Sequence, residues 1–532
     1  MPPSAGTTQG DALAPIEEPA ARTATPRLPV RPGQAGALLV LCLLLRVVSL
    51  VRPCLSDDEA TYAVVAREML AGQALYRDVV DHKPPAIYLV NAATQALGGP
   101  VGGMALLHVL LIAIVWATGL IVAAIARRYS PVTRDGPVLA AVMWIVFTTT
   151  LVDTDSLAAN CELLMMLPLV ASFAVFLKAS EGAGGQLRGM FGAGVLVGIA
   201  MLFKYQAGVQ LPVYACAWLV LRHRAARSLV PGLAALAVGV APPIAGAALW
   251  LASLDALPSG WFWFRFNFSY ISAGSRTTML EHMVVRGGFV IVAAAPLYAF
   301  AARAVRRRSD CLPATHWLVL GWLAVSAAAV MVGGRFFGHY FHQLTAPLAV
   351  LAGPAIAGRW ARRRGLVVAM LAIPAGAFLV LGAAHDRLMR MAGQPDPDYA
   401  SVVAWLDASA PRSEAICIWG NSPVLYFEAE RPLGCRFVFA NYLTGLSPAT
   451  ATQTDPVVDA SMNIVPEAWD MLEVDLATRR PMFILDGSPG NVDFYGKWPP
   501  DRFPRLASIL ARDYRAVAEV AGMRIFRRHA RP

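Results

Sequence analysis

Residues Met104–Arg128 read MALLHVLLIAIVWATGLIVAAIARR, an apolar run with no Asp, Glu, Lys or Arg until Arg127 and Arg128 close it. About 20 such residues, as an α-helix, cross the ~30 Å hydrocarbon core of a bilayer. The run is therefore predicted to span a membrane with its basic end on the inner side. Ten more segments of this kind follow the same reading, at about 35–51, 137–152, 160–177, 189–203, 206–221, 228–252, 285–302, 315–333, 344–358 and 365–384. Composition agrees. Of 532 residues 57% are hydrophobic and only 15% are charged, where soluble domains average about 25% charged. A purely cytosolic enzyme is excluded on that balance.

The net charge of +10 has two readings, nucleic acid or membrane topology. Position decides between them. Five alternate connections hold Arg127, Arg128 and Arg134; Lys178 and Arg188; Arg222, Arg224 and Arg227; Arg303 and Arg306 to Arg308; Arg359 and Arg362 to Arg364. Those sixteen cations face only Asp135, Glu181 and Asp310. The opposite short loops carry little beyond Lys204 and Arg335. These connections are thus inner, no nucleic-acid partner is expected, and an odd number of spans places the chain after 385 outside. The expected organisation is a disordered inner tail over 1–34, a membrane module over 35–385, and an extracytoplasmic domain over 386–532. Outer loop 52–103 belongs to the module, and the tail domain is read as α/β, with β-rich runs at Ala415–Gly420, Cys435–Ala440, Pro481–Gly487 and Met523–Arg527. Cys417 and Cys435 fall near two of these runs and form a candidate disulfide.

Ionisable residues at the membrane edge are costly to place and mark candidate chemistry. Four clusters stand out. In Ser56-Asp57-Asp58-Glu59, Ser and Glu at this spacing make a helix-capping box, and Asp58 could equally serve as a general base. Asp81-His82-Lys83-Pro84-Pro85 is a rigid turn whose ammonium either is an ordinary surface charge or meets a lipid phosphate. Around a third-to-fourth span turn lie Asp153, Asp155, Asn160 and Glu162, with Lys204 in a later tight turn. Finally, Gly334-Arg335-Phe336-Phe337-Gly338-His339-Tyr340 puts Arg335 and His339 in a short outer loop suited to an anion. No metal-ligand set is found.

The order of these pieces resembles the bacterial branch of the protein O-mannosyltransferases, which includes the lipid A aminoarabinose transferases. These are integral-membrane GT-C glycosyltransferases. The likeness is carried by Asp58-Glu59-Ala60-Thr61-Tyr62-Ala63, by His82-Lys83-Pro84-Pro85 and by Gly334 to Tyr340, with Trp419-Gly420-Asn421-Ser422-Pro423 following in the tail. It implies a GT-C-like polytopic helical fold with a C-terminal soluble α/β domain. It further implies transfer of a sugar from a polyprenyl-phosphate donor to a glycan, lipid or protein hydroxyl at the outer face of the inner membrane. By the same resemblance Asp58 is the base and Glu59 its companion. Lys83, Arg335 and His339 face the donor phosphate, and His82, Asp155, Asn160, Glu162, Lys204 and Tyr340 lie near sugar or acceptor. No cofactor is implied, the lipid-linked sugar being a substrate; metal dependence stays open. His82 stands where the aminoarabinose transferases carry Glu, and the spans are fewer, so neither lipid A nor aminoarabinose is assigned. A non-catalytic subunit of cell-envelope glycan assembly is one alternative, and a transporter or flippase of a lipid-linked sugar is the competing reading. It would place its ionisable groups at mid-bilayer, and here they gather at the rim.

Overall fold

The computed structural model describes residues 29–51, 56–150, 156–181, 185–222, 226–272, 276–306, 311–391, 396–446 and 461–529. Helices dominate the first three-quarters of the chain: α1 (Pro32–Val51), α2 (Asp57–Leu70), α3 (Ala86–Tyr129), α4 (Gly136–Thr149), α5 (Cys161–Ser180), α6 (Gln186–Met201), α7 (Gln210–Arg222) and α8 (Ala226–Ser253). They continue as α9 (Leu257–Ser272), α10 (Arg276–His282), α11 (Gly288–Ala293), α12 (Ala295–Arg306), α13 (Pro313–Met331), α14 (His342–Trp360) and α15 (Arg364–Met391). Each of the eleven expected segments falls on helix. Among the described residues six helices are long and apolar enough to cross a membrane alone. The expected span 285–302 is instead a broken one: Met279–Ala293 and Ala295–Arg306 meet at 85°. A π-helical turn at Met283–Gly287 lies in its first arm.

Two local rules shape the module. Within α3, Gly99 (φ +70°) precedes Pro100, and this pair separates an outer segment from the spanning one. In α14 every residue from His342 to Pro354 is buried, because small residues admit close neighbours. A Cβ on Gly353 would lie 2.6 Å from the Ala140 nitrogen of α4.

Beyond α15 the chain forms a small α/β unit: α16 (Tyr399–Ser409), β1 (Ile416–Trp419), α17 (Pro423–Ala429), α18 (Asn441–Thr444), α19 (Pro466–Arg479), β2 (Phe483–Asp486), α20 (Pro504–Asp513), β3 (Tyr514–Val520) and β4 (Met523–Arg528). The sheet order is β1-β2-β4-β3, with β1 and β2 parallel and fully buried. Three of the four expected strands are present. Cys435–Ala440 is not one. Its backbone pairs instead with the outer loop, where Val80 N donates to Arg436 O at 2.9 Å. The sheet's fourth strand is β3, whose Ala-rich sequence carries no clear alternation; it is set by its hairpin with β4 through Ala521 (φ +48°) and Gly522 (φ +78°).

Candidate active site

The first turn of α2 presents three consecutive carboxylates, and successive helical residues point about 100° apart. Ser56 is extended and its Oγ accepts from Glu59 N at 3.3 Å, so the capping half of the motif forms. Asp57, Asp58 and Thr61 face a cavity of about 1250 Å³. Glu59 does not line it. Its Oε1 accepts from Ala159 N at 2.7 Å and lies 3.0 Å from His108 Nε2, all fully buried. Arg46 of α1 donates to the carbonyls of Ser156 and Leu157 in the same turn. Expected as the companion of Asp58 in a structural or supporting role, Glu59 clamps α2 to the start of α5. Asp57 is pushed up to about 8 by burial, with the carboxylates of Asp493 and Asp58 adding to it.

The turn after α2 carries the second group. Asp81 is buried, accepting from the Tyr88 hydroxyl (2.7 Å) and from His82 N (2.6 Å), with His82 Nδ1 at 3.0 Å. Burial alone would raise its carboxyl, but His82, Lys83 and the Tyr88 hydroxyl outweigh this and hold it below the usual carboxylate range. His82 Nδ1 also sits 3.1 Å from the Tyr442 hydroxyl of the C-terminal unit. Tyr76 and Asn267 donate to the carbonyls of Lys83 and His82, at 2.6 and 3.0 Å. With its backbone so fixed, half-buried Lys83 presents its side chain to the cavity.

Glu162, Lys204, His339 and Tyr340 come together beside this space. Lys204 Nζ bonds Glu162 Oε1 and lies 3.9 Å from the Tyr340 ring centroid; His339 Nε2 is 3.6 Å from the same carboxylate oxygen. His339 and Tyr340 line the cavity, whereas Glu162 and Lys204 stand behind them. Asn160 is the buried N-cap of α5, its carbonyl accepting from Leu163 N. Asp153 and Asp155 lie outside the described residues.

One expectation is corrected. Arg335 is buried at 2% exposure and is absent from the cavity wall. The guanidinium groups that reach the cavity are Arg265 of α9 and Arg286 of the π-helical turn. Arg286 donates to the Arg335 carbonyl at 3.1 Å and lies 4.8 Å from the Phe337 ring centroid. Two sequence signals pointed there, a single Arg inside the aromatic run 261–268 and another at a span's edge.

The C-terminal unit closes the cavity. Asn421, Asn441, Tyr442, Asp493 and Phe494 supply its far wall. The unit is bound to the outer loop by Arg67, which donates to the carbonyls of Tyr426 (3.1 Å) and Arg431 (2.8 Å). Arg436 grips Asp475 with two 2.8 Å bonds and donates to the Arg77 carbonyl at 3.1 Å. Cys417 and Cys435 are buried free thiols with Sγ atoms 3.4 Å apart. Among the described residues no group of three or more His, Cys, Asp or Glu is arranged to hold a metal ion.

The fold, a helical membrane module followed by a small α/β unit, has counterparts among solved structures. Within it, residues 82–250 match the family model of the dolichyl-phosphate-mannose-protein mannosyltransferases. The matched stretch runs from the Lys83 turn through most of α8, about a third of the chain. The chain is similar to ArnT from Cupriavidus metallidurans bound to undecaprenyl phosphate, at 15% identity over 93% of this chain and 98% of that one, with a TM-score of 0.58. The apo form of the same protein gives 17%, 93%, 97% and 0.56. The apo oligosaccharyltransferase of Archaeoglobus fulgidus gives 12%, 89%, 72% and 0.51. These likenesses are of fold. No curated protein matches the chain in sequence.

Proposed function

We propose that the protein transfers a sugar from a polyprenyl-phosphate donor to an acceptor hydroxyl, at the outer face of a bacterial inner membrane. The observation that carries this is one cavity at the head of the membrane module, faced by Lys83, Arg265 and Arg286 and by the carboxylate of Asp58. The fixed cations suit a phosphate leaving group, whose negative charge grows as the glycosidic bond breaks. Undecaprenyl phosphate occupies a protein of this fold in the ArnT complex. Asp58 takes the hydroxyl proton while the acceptor oxygen attacks the anomeric carbon. The C–O bond to phosphate breaks, its electron pair leaves with the phosphate, and the configuration inverts. Asp57, its neighbour on the same turn, faces the cavity as well. His339 and Tyr340, backed by the Glu162–Lys204 pair, position the donor headgroup. In this reading the basic connections are cytoplasmic and the C-terminal unit is extracytoplasmic.

The test is transfer by the full chain in nanodiscs, supplied with radiolabelled polyprenyl-phosphate sugars. Asp58→Asn is expected to lose about 10³-fold in rate while keeping undecaprenyl-phosphate affinity. Lys83→Ala is expected to weaken that affinity about tenfold, the worth of roughly one charge-assisted contact. Full transfer by both folded variants overturns the assignment.

A further inference from the structure

The two walls of the cavity differ in charge, and the difference bears on the acceptor. From the membrane module come the basic groups Lys83, Arg265, Arg286 and His339, alongside the carboxylates of Asp57, Asp58 and Asp81. From the C-terminal unit, among the described residues, comes no cation at all; its charged groups there are Glu467 and Asp493. A phosphorylated acceptor laid against this wall would meet like charge, which costs affinity.

What the wall offers instead is neutral hydrogen bonding and aromatic surface. Asn421 makes no side-chain hydrogen bond among the described residues, so its carbonyl and amino groups both face the cavity for use. Asn441 accepts from the Tyr495 hydroxyl at 2.9 Å, which orients the amide and leaves its amino group to donate. Phe494 is 47% exposed and left-handed at φ +67°, in a turn where Asn491 and Asp493 are left-handed too. Bulky residues adopt that conformation only when the surroundings impose it. Here it is imposed on a turn that holds an aromatic ring against open space. Planar amides pair with vicinal hydroxyls, and an aromatic face matches the C–H face of a pyranose. At about 1250 Å³ the cavity also exceeds the 300–1,000 Å³ typical of single small-molecule sites.

We propose that the C-terminal wall is an acceptor subsite for an uncharged glycan, with Asn421, Asn441 and Phe494 as its specificity-determining residues. This rests on the transferase reading above. Asp58 lines the same cavity, so an acceptor hydroxyl held by this wall shares that space with the base and the phosphate-binding cations.

The experiment measures binding to the full chain in nanodiscs. The probes are neutral hexasaccharides of glucose, mannose and galactose, their phosphorylated counterparts, a Ser/Thr-rich peptide, and separately undecaprenyl phosphate. At least one neutral hexasaccharide is expected to bind, with its phosphorylated counterpart at least fivefold weaker. Asn421→Ala and Phe494→Ala are expected to weaken that glycan at least tenfold and to change undecaprenyl-phosphate affinity less than twofold. Asn441→Asp, which keeps the acceptor for Tyr495, separates loss of the donor group from loss of fold. Tighter binding of the phosphorylated sugars, preference for the peptide, no glycan binding, or wild-type glycan affinity in the folded variants each overturns the proposal. Failure of undecaprenyl phosphate to bind the wild type would instead count against the transferase reading, whatever the glycans do.

Discussion

Asp58 and Glu59 are neighbours on one helix, and their carboxylates end in opposite settings. Asp58 opens onto a large cavity that also presents three basic side chains; Glu59 is sealed between His108 and the Ala159 amide with no exposure. The same division runs through the half of the molecule that holds the cavity. Asp475 under Arg436 and Glu162 under Lys204 are enclosed pairs, while Asp57 looks into the cavity. Enclosed charges hold elements together, because breaking one pair strands the other charge in a low dielectric. Charges left facing a cavity are available to a substrate.

That contrast has tests of graded size. Glu59→Ala should cost about 3–5 kcal/mol of stability, seen as a collapsed thermal midpoint in detergent. Asp58→Asn should stay within about 0.5 kcal/mol of wild type, as surface changes do; equal losses would abolish the distinction. Arg436→Ala comes next, at about 3 kcal/mol, from Asp475 left buried with only Arg479, 3.9 Å away, beside it. It should show as faster limited proteolysis of the C-terminal unit, with the membrane module intact. Asp57→Asn has a smaller effect that depends on pH. Its carboxyl ionises near 3.8 in the unfolded chain and near 8 in the folded one. Between those values the folded chain keeps a proton that the unfolded chain has lost, so stability falls as pH rises through the window. Asn removes that penalty. The variant should match wild type at pH 4 and melt about 2 °C higher at pH 8, a gain limited by solvent in the cavity. The smallest change is expected of the paired thiols: buried Cys417 and Cys435 should react with maleimide only after unfolding, whereas fast labelling of the native protein would show that this part of the unit is not sealed.

Much of this was legible in the chain. Long apolar runs closed by arginines report spans directly, since only helices satisfy their backbone within lipid. The Asp58 and Lys83 motifs are short, but their order and their place at span ends made them conspicuous. The direction of a side chain leaving an irregular turn was not legible. Arg335 follows two left-handed glycines and precedes a left-handed Phe336, and that path turns it inward and leaves the cavity to Arg265 and Arg286. Nor could periodicity show that Tyr442 reaches His82 across 360 positions of sequence. The C-terminal unit reads as a separate domain because its composition is that of a soluble one. Its role as a wall of the site exists only in three dimensions. The broken span at 285–302 was hidden likewise: hydropathy counts residues and is blind to an 85° bend.

The strap formed by Arg436, Val80 and Arg77 has a consequence in time. Asp58 and Lys83 are made early, but Tyr442 and Asp493, which complete the cavity around them, follow more than 350 residues later. At about 5–20 residues per second, Asp493 leaves the ribosome roughly 20–90 s after Asp58. Throughout that interval the inserted module is a half-built vessel, open on the side where water enters. The walled chamber exists only once the last part of the chain has docked.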